Sequence, residues 1–347
     1  MQMSEGILNT EQIQISDFGP LVPFLSQDTI TDINWNGKAL WIDDTQYGRQ
    51  TSDIILDSHF VDRFATKMSN VVSKQFNKYN PVLEAETKDL RISVIHHEVN
   101  NTGTAISIRK IPVVKRLETK QMIDDGYCSE QVSELLRALI KGKMNVVISG
   151  LPGVGKTELI KYEAGFTKKT DRIITIEDSL EMHLPKLYPD KDILEFKVNP
   201  KFTYTDAIKA ALRQLPTWLI IAEIRQKEVQ YFMEGLSCGT HGITSVHAES
   251  VDKIPARIRN MADRPELYND TYRFIDAGIH IRKTTNPDGS TRRYVEQMCF
   301  FERNEAEDEN IMTMIVDGGK VINSEIPESK LKKFDLHHVR VPGLRKE

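Results

Sequence analysis

The chain has 347 residues, enough for about two domains with sizeable cores, which excludes a peptide or a disulfide scaffold. Apolar residues make up 39% and charged residues 28%, and 46 basic against 50 acidic side chains give a net charge of −4, which favours neither a disordered chain nor a polyanion-binding protein. The three cysteines are widely separated and form no C-x-x-C pair, which argues against a zinc or redox motif and is typical of a reducing compartment.

The sequence also bears on membrane insertion and export. Residues 1–10 lack the basic and apolar regions of a signal peptide. No apolar run reaches the roughly 18 residues that a membrane-spanning helix needs. We therefore expect a protein that is neither exported nor membrane-spanning, while contact with a membrane surface or a membrane partner stays open.

Residues 1–110 are predicted to form a mixed α+β domain. Apolar and polar residues alternate on both sides of Asn36-Gly37, a dipeptide that adopts the positive φ angles of a tight hairpin turn. Apolar residues recur at helical spacing from Asp57 to Phe76 and predict an amphipathic helix. Two β-branched runs, Leu90–Ile95 and Thr104–Ile108, predict strands. A mixed-charge stretch without an apolar face follows, and we place an interdomain linker at residues 111–127.

Residues 128–347 show a different pattern, in which short apolar strands alternate with helical segments. The predicted elements are a strand at Met144–Ser149, a helix from Lys156, a strand at Arg172–Ile176, a helix from Thr205, a strand at Trp218–Ala222, a helix from Lys227 and a strand at Ile243–Val246. This alternation is typical of a parallel sheet covered by helices.

The carboxyl-terminal part is predicted to form antiparallel hairpins and a solvated tail. The expected features are strands at Ala277–Lys283, Arg293–Phe301 and Ile311–Asn323, a turn at residues 286–289 and an acidic loop at Glu302–Glu309. Beyond Pro327 the charged residues are mainly basic: Lys330, Lys332, Lys333, Arg340, Arg345 and Lys346. This composition favours a solvated or frayed end over a lipid-binding patch.

A glycine-rich segment follows the strand at Met144–Ser149 and leads into a helix. The segment Gly150-Leu151-Pro152-Gly153-Val154-Gly155-Lys156-Thr157 has the G-x-x-x-x-G-K-T pattern of a phosphate-binding loop, in the strand-and-helix context that the pattern requires. Glycines allow several backbone N–H groups to approach phosphate oxygens together, and the helix dipole adds positive potential there. The expected nucleotide-binding residues are Gly150, Pro152, Gly153, Val154, Gly155, Lys156, Thr157 and Glu158. Lys156 would bridge the β- and γ-phosphates, and the Thr157 hydroxyl would bind Mg²⁺.

Three carboxylates, Glu177, Asp178 and Glu181, follow the strand at Arg172–Ile176. Ligands of open α/β sheets lie at the carboxyl ends of the strands, and a carboxylate there can accept a proton from an attacking water. An alternative interpretation is a helix N-terminus at which acidic residues interact favourably with the dipole. These residues alone do not decide between the two.

The apolar run Trp218–Ile221 ends in Ala222-Glu223. An apolar strand that places an acid beside a phosphate-binding loop is a Walker B pattern, in which the carboxylate holds Mg²⁺ or orients the nucleophile. Ala222 stands where Asp is usual, so Glu223 would carry this role alone. The alternative is a buried strand that ends in an exposed ion pair.

Two histidines, His241 and His247, flank the strand at Ile243–Val246. His247, at the carboxyl end, could sense the γ-phosphate by donating a hydrogen bond to it. A structural role is equally open for both histidines. No third histidine lies near them in the sequence, which argues against metal binding.

In chain order these four segments resemble the Walker A, Asp box, Walker B and His box of the secretion superfamily ATPases, which power type II and type IV secretion, type IV and Tad pili, and conjugation. Ala211-Leu212-Arg213-Gln214-Leu215-Pro216 is similar to the motif before Walker B in this family, and Thr104–Lys110 is similar to the segment that closes the N-terminal domain in the Tad and conjugative branches. The chain most resembles the branch named for CpaF. The resemblance implies an α/β fold, with a RecA-like P-loop NTPase domain and a smaller α+β N-terminal domain.

The resemblance also implies roles for individual residues. Glu181 matches the acid that activates water, Glu223 matches the Walker B glutamate that contacts Mg²⁺ directly or through water, and His247 matches the second His-box histidine. Family members place N-domain arginines over the nucleotide, and Arg91 and Arg109 are the candidates here, with ordinary surface positions as the alternative. The His-box spacing is one residue shorter than in the pilus motors, which leaves the role of His241 open.

For ligands and partners, the resemblance implies ATP and Mg²⁺, a homo-hexameric ring, and a polytopic inner-membrane platform or secretion-channel protein as partner. It further implies a cytoplasmic location with peripheral contact at the inner face of the plasma membrane. The near-neutral charge gives no expectation of direct nucleic acid binding. The four-cysteine insert of type II secretion ATPases is missing, which argues against that branch. The alternative function is a P-loop phosphotransferase that acts on a small acceptor.

Overall fold

The computed structural model describes residues 13–87, 89–111, 113–287, 290–340 and 343–346. The chain divides into two compact units, one formed by the residues up to 112 together with Thr285–Thr291 and the other by Val113–Thr284 with the residues from 292 onward. The predicted absence of a signal peptide concerns residues 1–10, which lie outside the described residues, as do Asp288 and Gly289 of the predicted turn. Within the described part, no helix has the length and hydropathy needed to cross a membrane.

The first unit is built around one antiparallel sheet. Its strands are β1 (Ile30–Trp35), β2 (Leu40–Asp44), β3 (Gly48–Ser52), β4 (Val82–Glu86), β5 (Leu90–Ile95) and β6 (Ala105–Lys110). Their order across the sheet is β3-β2-β1-β6-β5-β4. Three helical segments accompany the sheet: a 3₁₀ segment at Ile15–Leu21, α1 (Val22–Leu25) and α2 (Ser58–Val71). Alternate strand residues pack with the apolar side of α2 in a single core.

The hairpin predicted at Asn36-Gly37 is confirmed. The Asn36 side-chain oxygen accepts hydrogen bonds from the N–H groups of Lys38 and Ala39, at 2.9 and 2.8 Å. Gly37 has a φ of +95°, and a Cβ there would lie 2.3 Å from the carbonyl oxygen of Thr102. Only glycine therefore fits this turn.

The helix predicted over Asp57–Phe76 ends earlier than expected. It begins as predicted, because the Asp57 carboxylate accepts a hydrogen bond from the Phe60 N–H at 2.7 Å and caps the helix. It ends at Val71 because Ser73 adopts a left-handed φ of 53°, and the Lys74 N–H then bonds back to the Ser69 carbonyl at 3.1 Å. The prediction of its last turn was wrong.

The second unit contains a nine-stranded sheet with helices on both faces. Its strands are β7 (Val146–Ser149), β8 (Arg172–Glu177), β9 (Asp192–Lys197), β10 (Trp218–Ile221), β11 (His241–Val246), β12 (Ala277–Thr285), β13 (Thr291–Asn304), β14 (Glu309–Asp317) and β15 (Lys320–Val321). Its helices are α3 (Thr119–Asp124), α4 (Glu130–Lys141), α5 (Lys156–Ala164), α6 (Leu184–Leu187), α7 (Tyr204–Leu212), α8 (Glu228–Ser237), α9 (Ile254–Ala262), α10 (Glu266–Phe274) and α11 (Glu328–Leu336), with a 3₁₀ turn at Val251–Lys253.

The strand order is β15-β14-β13-β12-β7-β11-β10-β8-β9. The strands from β12 to β9 in this order are parallel, so their carboxyl ends share one edge of the sheet, which we call the catalytic edge; the amino edge is the opposite one. Helices α3, α4, α5 and α11 pack on one face of the sheet, and helices α7 to α10 pack on the other. The predicted parallel sheet covered by helices is thus confirmed.

Two features of this unit differ from the sequence prediction, namely the docking of the basic tail and the presence of β9. The basic tail is not a frayed end, because α11 is docked: Phe334 and Lys330 are buried, and the amines of Lys330 and Lys333 lie 2.8 and 2.7 Å from the Asp276 carboxylate. The strand β9 had no predicted counterpart, since its mixed sequence gives no clear alternation. The predicted linker region contains α3, whose Met122 side chain is buried in the core of the second unit.

Candidate functional site

The phosphate-binding loop lies at the catalytic edge, between β7 and α5. Gly150, Gly153 and Gly155 have φ angles of 152°, 76° and 97°, so at least the latter two positions require glycine. A Cβ at Gly150 would lie 2.8 Å from the Ile281 carbonyl oxygen, which explains the third glycine. Val154 is buried in the core and anchors the loop, whereas Pro152 is exposed.

Lys156 lies at the centre of this loop and is mostly buried. Its amine donates to the carbonyl oxygens of Gly150 and Leu151, at 3.0 and 3.4 Å, and lies 3.0 Å from Nδ1 of His247. Burial lowers the pKa of Lys156 to about 8, an effect that Glu223 opposes and Arg225 reinforces. The loop therefore holds a cation surrounded by weak neutral partners, which an anionic ligand can replace.

Four strand ends contribute to one continuous chain of polar contacts. Nε2 of His247, after β11, lies 2.8 Å from Oε1 of Glu223, after β10. The other oxygen of Glu223 accepts a hydrogen bond from Arg225 at 3.1 Å, and Arg225 also donates to Asp178, after β8, at 3.1 Å. The sequence predicted that these residues share an edge, and the structure places Lys156, His247 and Glu223 in direct contact.

The turn after β8 contains Glu181, the predicted water-activating acid. Glu181 is half-buried, and its N–H donates to the carboxylate of Glu177 at 2.9 Å, as does the N–H of Met182 at 3.0 Å. Glu177 is fully buried, and burial raises its pKa to about 8. Its Oε1 atom has no hydrogen-bond partner among the described residues. Glu177 therefore stabilises the turn that contains Glu181. The sequence did not suggest this supporting role.

The first turn of α5 contains the remaining loop residues. Thr157 is half-buried at the start of the helix, where the first backbone N–H groups have no partner within the helix. Glu158 also lies there, but its Oε1 atom accepts a bond from Lys161 at 2.9 Å. Its carboxylate is thus committed to its own helix, and it faces Lys161 rather than the loop.

Three predicted residues are not part of this arrangement: His241 lies at the other edge of the second unit, and Arg91 and Arg109 lie in the first unit. His241 begins β11 at the amino edge, roughly 20 Å from His247 at about 3.3 Å per strand residue. It contacts Trp218 with a ring separation of 5.4 Å. Arg91 and Arg109 belong to the first unit, where they are cross-strand neighbours on β5 and β6, and Arg109 lies 2.7 Å from Asp32.

Sequence reasoning missed two side chains next to the loop. Arg293, on β13, donates to the Gly153 carbonyl oxygen at 3.4 Å, and burial lowers its pKa. His280, on β12, is buried beside Ser149, with its Nδ1 2.9 Å from the serine hydroxyl. Neither residue belongs to a local motif, because only the sheet order brings them near the loop: β12 pairs with β7, and β13 is the next strand beyond β12.

The residues of the phosphate-binding loop fit a nucleoside triphosphate. Gly153 has open space around its Cα, the first turn of α5 presents its free N–H groups, and Lys156 supplies a cation at the same place. Among the described residues no group of three or more His, Cys, Asp or Glu side chains could hold a metal ion by itself. Thr157 and Glu223 could hold Mg²⁺ only together with phosphate oxygens, which is usual for this ion.

A family model described as "Type II/IV secretion system protein" matches residues 75–308 of the chain. The chain belongs to this family. Its predicted membership of the secretion ATPase superfamily and its predicted α/β fold, with an N-terminal domain and a RecA-like domain, are confirmed. By family and fold it is a secretion-system ATPase.

Several proteins are similar to this family member. An uncharacterised protein of Bacillus anthracis is 29% identical over 272 residues, which is 75% of this chain but only 61% of the relative. A putative conjugal transfer protein of Mycobacterium tuberculosis is 22% identical over 332 residues, 90% of this chain and 92% of the relative. The X-ray structure of the Legionella pneumophila ATPase DotB has a TM-score of 0.58 and 14% identity, and covers 88% of this chain and 84% of DotB.

Proposed function

We propose that this secretion ATPase hydrolyses ATP and uses the energy to power a type IV-like or Tad-like secretion, pilus-assembly or conjugative transfer system. The observation that carries the proposal is the direct contact of Lys156, His247 and Glu223 at the mouth of a phosphate-binding loop. A cation, a proton-carrying ring and a carboxylate there form an arrangement suited to binding a triphosphate and responding to its γ-phosphate.

In the proposed reaction, loop N–H groups and Lys156 bind the β- and γ-phosphates of ATP. Lys156 then exchanges two carbonyl partners for phosphate oxygens, which are stronger partners for an ammonium ion. Thr157 and Glu223 would hold Mg²⁺, which would supply positive charge to the bound triphosphate. His247, released from Lys156, can then donate a hydrogen bond toward the γ-phosphate.

Glu181 is proposed to accept the proton of the attacking water. Its position follows from Glu177, whose carboxylate holds the N–H groups of Glu181 and Met182. The N-domain arginines Arg91 and Arg109 are proposed to lie over the nucleotide, on the strength of the family resemblance alone. The proposed functional division stays residues 1–110, a connecting segment at 111–127, and an ATPase domain at 128–347.

The test of this proposal is nucleotide hydrolysis by variants of the full chain. Lys156→Ala should abolish ATP hydrolysis, because the loop loses its cation. Glu181→Ala should keep ATP binding and lose at least about tenfold in turnover, the scale of general-base removal. Glu234→Ala, at an exposed site on α8, is the matched control and should match the wild type.

Two results would contradict the proposal. Undiminished hydrolysis by Lys156→Ala would remove this loop from the chemistry. A phosphorylated small acceptor, in place of free inorganic phosphate, would identify a phosphotransferase.

The assembly and location are also part of the proposal. We propose a homo-hexamer in the cytoplasm that makes peripheral contact with the inner face of the plasma membrane through a polytopic platform or secretion-channel protein. The conjugal-transfer name of the mycobacterial relative supports a transfer system. The partners of the whole protein stay proposals, since the chain spans only 61% of the Bacillus anthracis relative.

A further inference from the structure

A concave pocket of about 630 Å³ lies at the amino edge of the second unit. The phosphate-binding loop lies at the opposite edge of the same sheet. The end of α4, the loop after α5 and the segment after α11 line it. Its charged and ionisable lining residues are Glu134, Arg137, Lys141, Lys168, His337, His338 and Arg340. We call it the cationic pocket, because four of these residues are permanent cations and one is an acid.

The positive charges of the cationic pocket are not balanced locally. In the part of the chain that the structure describes, no carboxylate lies within ion-pair distance of Arg137, Lys141, Lys168 or Arg340. Nε of Arg137 is buried without a hydrogen-bond partner, while its guanidinium lies 5.7 Å from the Phe166 ring. Such a group gains a charge-assisted bond from an anion that enters the pocket.

Neighbouring histidines respond to this positive potential. The pKa of His241, close behind the pocket, is lowered to about 4 by burial first and then by Lys143, His337 and Lys333. The pKa of His337 is lowered by burial first and then by Lys143, Lys168 and Lys333. Both histidines are therefore neutral at pH 7, and the lysines and arginines supply the charge of the pocket.

An exposed acidic loop lies on the other face of the same sheet. It joins β13 to β14 and contains Glu305, Glu307, Asp308 and Glu309, which are all exposed. Arg273 of α10 bonds to Glu305, and α10 packs on the face opposite to α4 and α5. The Phe301 N–H donates to the Asp276 carbonyl just before β12 begins, which places the loop at the amino edge as well.

The acidic loop keeps net negative charge despite its internal ion pairs. Arg273 and Arg303 contact Glu305 and Asp308, whereas the Glu307 carboxylate accepts a hydrogen bond from the neutral amide of Asn304 at 2.9 Å and pairs with no basic side chain among the described residues. An exposed loop with net negative charge is complementary in charge to the cationic pocket. The second unit thus carries a cationic concavity on one face of its sheet and an exposed acidic loop toward the other.

We propose that the acidic loop of one copy docks in the cationic pocket of a second copy of this chain. Because the two surfaces are different patches of the chain, the contact is head-to-tail, and such contacts build rings when their rotation closes. The inference rests on the proposed ring and deepens it by naming the surfaces that join the subunits.

Cysteine cross-linking tests the contact directly. In a Cys238→Ser background, which removes the exposed cysteine and leaves Cys128 and Cys299 buried, Lys168→Cys and Glu307→Cys are introduced together and treated with a short bismaleimide. A covalent ladder beyond the dimer is expected, because each copy can link to two neighbours. Dimers from Lys168→Cys alone would show a two-fold contact and overturn the inference. So would the absence of a ladder in a sample that sediments as a multimer.

Charge reversal gives a second, independent measurement. Lys168→Glu and Glu307→Lys should each weaken self-association by about tenfold in sedimentation equilibrium, and their combination should restore it, since the pair is again of opposite sign. Lys320→Glu, at an exposed position of β15, is the matched control and should leave association unchanged. Reversals that match this control would overturn the inference.

These results separate the interface from the chemistry. If the reversed variants assemble normally while Lys156→Ala loses hydrolysis, the docking inference is wrong and the proposed ATPase function stands. If the wild type hydrolyses ATP but stays monomeric at every concentration, both the docking inference and the proposed hexamer are wrong.

Discussion

At the scale of single residues, Lys156 shows how burial prepares a binding site. Its amine is held by two carbonyl oxygens and His247, and burial lowers its pKa to about 8. The free site thus holds an ammonium ion that loses its proton easily. Triphosphate binding favours the charged form, so binding and protonation are linked.

We predict that ATP affinity is constant from pH 7 to about 8 and falls above it, approaching tenfold per pH unit. The cause is that the neutral amine must first take up a proton. The dissociation constant of ATP, measured by calorimetry over this range, checks the prediction. Lys156→Arg keeps its charge throughout and should show no such fall. A flat wild-type profile would disprove the linkage.

Burial also disfavours the charged form of Glu177, which shifts its pKa in the direction opposite to that of Lys156. Burial raises its pKa from 4.5 to about 8, although the N–H groups of Glu181 and Met182 partly oppose this. Because the folded pKa lies above the unfolded value, the folded state favours the protonated carboxyl. The contribution of this group to the free energy of unfolding is largest below about pH 4.5 and is lost as the pH rises toward about 8.

We predict that Glu177→Gln reduces the fall in unfolding free energy between pH 5 and 8 and keeps most of the turnover, because the amide oxygen can still accept both N–H bonds. Glu177→Ala should lose about tenfold in kcat at unchanged ATP affinity, since the turn that carries Glu181 is released. Urea unfolding at several pH values and steady-state kinetics measure both. Equal kcat in the two variants would deny Glu177 a positioning role.

At the scale of elements, α11 is attached by a buried charge cluster. Asp276 accepts bonds from Lys330 and Lys333 and from the Asn145 N–H, at 2.8, 2.7 and 2.9 Å. Burial alone would raise the pKa of Asp276, but the two lysines outweigh burial and hold the pKa below 3.8. The ionised carboxylate therefore stabilises the fold at pH values above its unfolded pKa of 3.8, and this stabilisation is lost as the pH falls below the lowered folded pKa.

We predict that Asp276→Asn destabilises the second unit by about 3 to 5 kcal/mol, the usual cost of leaving a buried charge without its partner. Denaturant unfolding followed by tryptophan fluorescence is the measurement, because Trp218 lies in the same core. Asp335→Asn, at an exposed position of α11, is the control. Equal stability of the two variants would show that the cluster does not hold the helix.

Local patterns predicted the elements whose cause is local. The strand β7, the phosphate-binding loop and the start of α5 follow from glycine conformation and helix chemistry within a few residues. The docking of α11 does not, because Lys330 is buried only through Asp276, 54 residues away. Arg293 and His280 were missed for the same reason, since sheet order places them beside the loop. The motifs therefore identified residues of the phosphate-binding loop, but not the residues that other strands and helices bring into contact with it or with the core.

At the scale of the whole molecule, the proposed ring has a kinetic consequence when its subunits are coupled. We predict that adding Lys156→Ala subunits to wild-type protein at constant total concentration lowers turnover by more than their share. The reason is that an inactive subunit interrupts its neighbours as well as itself. Phosphate release against the mixing ratio is the measurement. A decline proportional to the mutant fraction would indicate independent subunits.

The membership of Thr285–Thr291 in the first unit affects how the protein is made. The Thr291 hydroxyl donates to the Thr45 carbonyl at 2.9 Å, across 246 positions of sequence. A ribosome must therefore synthesise most of the second unit before the first can close all its contacts, and such long-range closure is slow. A fragment that stops near residue 110 is an incomplete first unit, and its expression in isolation should favour aggregation over folding.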